Sequence, residues 1–199
     1  MRILFLTALV LVLFTSGTAA QSFSTHSIKT GIGIGMNEGS KEMGFGPIMT
    51  IGYQKSLWKS RFRINPYMLN GGFWPFGITD IPDQYYRATS LGCNVYLDIL
   101  RYHGASVFIG GGGFVNYSRG LIGTGGWPEE GNNRSEYLFK LYAGGYFGGG
   151  IRIDPPNRRL AWEITPFNFC IGNDYFLMSF LKIGVDVKLG KLIQNQNRP

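Results

Sequence analysis

Charged side chains at every second position carry most of the chemistry legible in this sequence. Arg61, Arg63, Asp98, Lys140, Arg152, Glu163, Lys182 and Asp186 each fall on the polar side of a stretch whose other side is apolar. If that polar side is turned away from bulk water, its charges must be paired or hydrated, because an isolated buried ion is costly. Arg61 and Arg63 are expected to meet Asp98, and Arg152, Glu163 and Lys182 to form a second group. Together they would plug the space they share. A narrow pore for small solutes, lined by the same charges, is the alternative.

Nucleophilic or acid–base chemistry finds less support. There are two histidines, His26 and His103, and both precede or follow strands at one end of the chain's up-and-down path. The long loops at the other end hold none, so no Ser–His pair is available there. Asp80, Asp83, Glu129 and Glu130 lie in those loops and read as solvated acids. No Cys/His cluster points to a metal, no motif to a cofactor, and the chain is read as non-enzymatic.

The elements that must position the charges are strands. Ile28, Ile32, Ile34 and Met36 alternate with Lys29, Gly31, Gly33 and Gly35. The same period of two recurs over 45–54, 61–68, 90–99, 105–117, 137–154 and 162–165, and finally from Tyr175 to Leu189. With 30 Gly, long helices would not survive. The turns Ser56–Ser60, Arg101–Gly104 and Pro155–Arg159 are short. The connections at 74–84 and 118–136 are longer and richer in Gly, Pro and charge. Alternating short and long connections place both termini at the short-turn end of an all-β, eight-stranded antiparallel up-and-down barrel.

The N-terminus sets the compartment. Arg2, the apolar run Ile3–Phe14 and the small residues Thr15–Ala20 read as a signal peptide over 1–20, too short to span a bilayer as a helix. The barrel then occupies 21–190 and a polar tail 191–199. Export and dispersed basic residues exclude nucleic acid, despite a net charge of +7. Two cysteines in an exported chain suggest a disulfide. Yet Cys93 and Cys170 fall on strands four and seven, which are not neighbours, and a bridge needs Cα atoms within about 7 Å. They are read as free, lipid-facing thiols.

Alternation alone leaves open which side faces in, and a soluble lipocalin-like carrier of a hydrophobic ligand alternates too. The polar side decides it: it holds Gly31, Gly33, Gly35, Gly46, Gly52, Gly92, Gly144, Gly148 and Gly150, suited to a crowded lumen and ill-suited to strands in water. Only 16% of residues are charged, and aromatics such as Tyr53, Trp58, Phe62, Phe73, Trp74 and Trp162 stand near strand ends, as interfacial girdles do. The apolar side is therefore assigned to outer-membrane lipid, with the chain a monomer. Trp74, Phe76 and Trp127 are the expected contacts of an extracellular partner on the long loops.

The signal peptide, the G-I-G-I-G opening, the Gly/aromatic strands and the K-I-G-V-D-V-K-L-G close resemble the small porin-like outer-membrane β-barrel family, similar in plan to OmpX and the OmpA transmembrane domain. The resemblance implies a cell-envelope protein with a structural or surface-interaction role. Many such barrels end on an aromatic residue; this last strand ends near Leu189, followed by the polar tail.

Overall fold

The computed structural model describes residues 26–58, 61–75, 85–123, 135–155 and 158–189. Its eight strands are β1 (His26–Glu38), β2 (Met43–Leu57), β3 (Phe62–Pro75), β4 (Tyr85–Tyr102), β5 (Ala105–Gly123), β6 (Ser135–Ile153), β7 (Leu160–Gly172) and β8 (Leu177–Leu189). Each pairs antiparallel with the next, and β1 closes the ring against β8 from His26↔Leu189 to Glu38↔Leu177. Closure leaves no bare strand edge, as a sheet surrounded by hydrocarbon requires. The signal peptide, the tail, Phe76, Trp127 and the four loop carboxylates lie outside the described residues.

Parity sorts the side chains as the alternation implies. Ile32, Met49, Leu91, Phe147 and Ile183 stand exposed on the outer wall, while Arg63, Gln54, Glu163 and Asp186 are buried in the lumen. Apolar outside and charged inside is the reverse of a carrier barrel and suits only a wall bathed in lipid. The strands run 13 to 19 residues, against the 9–11 or so that a tilted span needs. They therefore reach beyond the hydrocarbon; β4 extends to Tyr102 and β3 takes in Trp74, both expected in connections.

Glycine makes the closure possible. Drawing eight strands into a narrow ring brings inward Cβ positions against the neighbouring backbone. A Cβ on Gly33 would stand 2.0 Å from the Leu181 carbonyl oxygen, and one on Gly144 2.0 Å from that of Ile171. Elsewhere the vacated space holds a ring. Tyr67 faces Gly92 across the β3–β4 ladder and Tyr96 faces Gly110 across β4–β5. A Cβ there would meet ring carbons at 2.7 and 2.3 Å.

Two departures from the expected faces have local causes. Cys170 is buried in the lumen, not lipid-facing. An extra residue in β7 between Thr165 and Asn168, at Pro166–Phe167, shifts the register and turns every later side chain over. Phe73, expected at the interfacial girdle, is fully buried and stacks on Tyr86 at 5.5 Å; it shares the inward parity of Arg63. Cys93 does face outward, and both thiols are free.

Candidate functional site

The side chains that face the lumen form two tiers. Toward the short-turn end lies an ionic tier. Arg63 on β3 donates through Nη2 to Asp98 Oδ1 at 2.8 Å, and its Nη1 reaches Glu163 Oε1 at 3.5 Å. Glu163 pairs in turn with Lys29 of β1. The other Asp98 oxygen accepts from Arg101 Nε and Nη2 at 2.9 and 2.7 Å. Arg101 reaches inward because a bulge after Asp98 shifts the β4 register by one residue. A second chain runs from Asp186 to Arg152, on to Asp154 (Arg152 Nη2 at 3.3 Å) and to Lys188. Gln54 Nε2 adds a hydrogen bond to Asp186 at 3.0 Å.

Aromatic rings cap this tier. The Lys29 ammonium lies 4.4 Å from the centre of the Tyr96 ring, and the Arg63 guanidinium 4.7 Å from that of Phe108. Such cation–π contacts spread the charge of groups that already have carboxylates. Between Lys29, Lys182, Tyr67, Tyr96 and Tyr146 sits a cavity of about 10 Å³, bounded by Thr50, Asn65, Asn94 and Phe180 as well. That is room for about one water.

The outer tier is apolar. Tyr142 packs on Phe176 at 4.6 Å, Phe114 on Phe176 at 5.6 Å, and Leu69, Ile48, Met178 and Phe180 fill the intervening space. At the mouth, the Tyr86 hydroxyl donates to the Asn37 carbonyl at 3.1 Å. The Asn37 side-chain amide and Glu42 Oε1 are buried there with no hydrogen-bond partner among the described residues. Outside, Trp74 lies against Tyr85 at 5.5 Å, and Lys41 Nζ meets Glu136 at 2.8 Å.

Of the expected groupings, Arg63–Asp98 forms as drawn. Arg61 stands in the turn ahead of β3, half-buried, and its carbonyl accepts the Asp98 N–H at 2.9 Å. Arg152 and Glu163 face each other across the β6–β7 ladder, but their ion pairs run to different partners, because Glu163 points toward β1 and β3. Lys182 is buried further along the lumen, beside the cavity, with no carboxylate in ion-pair range among the described residues. Lys140 shares the inward parity but sits opposite Ser118 near the outer end, apart from the ionic tier. Lys29 and Asp154 join the network unforeseen. Lys29 was legible as the charge between Ile28 and the glycines of β1; Arg101 was not, since only the bulge turns it inward.

His26 and His103 both lie at the short-turn end, His26 against Tyr53 and His103 in the β4–β5 turn at φ 44°.

No protein-family model and no curated protein matches this sequence. Solved structures do. Neisserial surface protein A, NspA, superposes with a TM-score of 0.59 at 13% identity, over 83% of this chain and 98% of that one. Ail, the attachment invasion locus protein of Yersinia pestis, does so with a TM-score of 0.53 at 10% identity, over 81% and 96%. The fold is that of the eight-stranded outer-membrane barrels. For an outer-membrane barrel, the two ends of the lumen have distinct surroundings: short turns and termini on the inner side, long connections on the outer. The ionic tier of this barrel thus occupies its inner half and the aromatic tier its outer half.

Proposed function

We propose that this chain is a non-enzymatic protein of the bacterial outer membrane, a plugged barrel that holds its long outer connections at the cell surface for interaction with a partner. The filled lumen carries the reading: ion pairs linked from Lys29 to Arg101 and from Asp186 to Lys188, under a packed aromatic tier, leave a cavity of about 10 Å³ where a pore would need a continuous passage. Eight strands enclose an interior that side chains can fill. Both histidines stand on the inner side, away from the outer connections. Two barrels of this fold are, by name, a surface protein and an attachment invasion locus protein. Of the three expected contacts, Trp74, exposed beside Tyr85 at the outer rim, is the one within the described residues and is placed to meet a partner.

Two measurements test this. Cell fractionation should recover the chain with the outer membrane, in a band whose migration changes on boiling. In planar bilayers the purified protein should give no steady conductance above background; a stable open level would replace the plug with a narrow pore.

A further inference from the structure

Among the described residues, the inner rim of the barrel exposes cations and no carboxylate. The carboxylates of the inner half, Asp98, Asp154, Glu163 and Asp186, are all buried in the lumen and held in ion pairs. Lys55, Arg158 and Arg159 are exposed at the same end. Arg158 and Arg159 belong to the β6–β7 connection, and neither guanidinium lies within 4 Å of a carboxylate among the described residues. The connection is tied down from behind. Lys188 Nζ donates to the Arg158 carbonyl at 3.1 Å, and the Lys188 N–H to the Arg159 carbonyl at 2.9 Å. Both arginines border an open basin of about 520 Å³, whose other walls among the described residues are Pro155, Leu160 and Trp162. Leu160 and Trp162 also belong to the exposed outer wall, in the same outward row as Ile164.

We infer that this basin binds the phosphate of an anionic glycerophospholipid in the inner leaflet. The inference rests on the membrane reading above, which sets this end at the inner leaflet. Two guanidiniums offer the planar, multidentate donors that suit phosphate oxygens. A Trp beside them occupies the depth at which interfacial aromatics sit. The floor of the basin continues into the lipid-facing wall, so acyl chains attached to the phosphate would run down Trp162 and Leu160. A free phosphate would use only the arginines, and the apolar floor favours the lipid.

The test is native mass spectrometry of the full barrel released from micelles containing equal amounts of phosphatidylglycerol and phosphatidylcholine. Wild type should retain phosphatidylglycerol in preference by roughly ten-fold, the scale of attraction that basic residues give at an anionic surface. The Arg158→Gln/Arg159→Gln variant should lose most of that preference, and Arg87→Gln, at the outer rim, should keep it. Equal retention of the two lipids by wild type, an undiminished preference in the double variant, or displacement of phosphatidylglycerol by inorganic phosphate would each overturn the inference. Migration before and after boiling, run on the same samples, tests the barrel itself. A heat-shifting barrel with no lipid preference therefore overturns this inference and leaves the membrane reading intact.

Discussion

Glu163 is the residue on which the ionic tier turns, since among the described residues it alone links β1 to β3 by holding Lys29 and Arg63 together. Removing its charge leaves two buried cations short of a partner, and breaking a buried pair from one side costs about 3–5 kcal/mol. Glu163→Gln should therefore lower the unfolding free energy of the barrel folded in vesicles, read from urea titration, by an amount in that range, and an unchanged free energy would mean the tier is hydrated and not paired. Glu42 predicts the opposite sign. Its Oε1 is buried at the outer mouth with no partner among the described residues, so Glu42→Gln, which removes the charge and keeps the shape, should raise the unfolding free energy by about 1–3 kcal/mol. A loss of stability there would point to a cation held at the mouth. The charged set was legible in the sequence because parity names a face. Its pairings were not, because parity says nothing of height along the barrel or of rotation toward one neighbour: Lys140 and Lys182 have the right face and, among the described residues, no carboxylate in ion-pair range, while Glu163 turns from Arg152 toward Lys29.

At the scale of elements, alternation was enough to find eight strands, their order and their inward glycines, since a wall between lipid and a crowded lumen leaves every strand with a strict period of two. Inserted residues break that rule silently. Pro166 stands at the bulge in β7, but Pro47 and Pro66 lie within β2 and β3 without any shift of register, so proline alone did not mark it; the bulge moves Cys170 from lipid to lumen. The two thiols report on this directly. In the folded barrel a membrane-permeant maleimide should label Cys93 and leave Cys170 unmodified until the protein is boiled. Deleting Pro166 should restore strict alternation: if the β8-facing register beyond it is kept, the inner part of β7 inverts, and if the inner part is kept, Asn168 and Cys170 turn outward. Either way a polar group is placed in lipid, and the heat-shifting band should be lost or Cys170 should become reactive. Labelling of Cys170 in the intact wild type would refute the bulge.

For the whole molecule, the separation of charges between surface and interior predicts how it answers to salt. The inner-half carboxylates are sealed beneath the aromatic tier, where mobile ions screen little, whereas Lys41–Glu136 lies exposed at the outer rim. Raising salt from low to molar levels should leave the unfolding midpoint almost unchanged while weakening any binding made through the rim charges. A midpoint that falls steeply with salt would mean that water and ions reach Arg63 and Glu163.

The seam between β1 and β8 joins residues that are neighbours in space and some 150 positions apart along the chain. Its hydrogen bonds close the longest loop of any ladder and are the most expensive in loop entropy. Synthesis therefore delivers the first strand long before its partner exists, and until the last strand arrives the chain is an open ribbon with two sticky margins. In time as well as in space, Gly33 waits for Lys182. The finished ring owes its durability to a step that leaves the nascent chain dependent on escort, and losing either terminal strand should yield not a smaller barrel but an adhesive sheet.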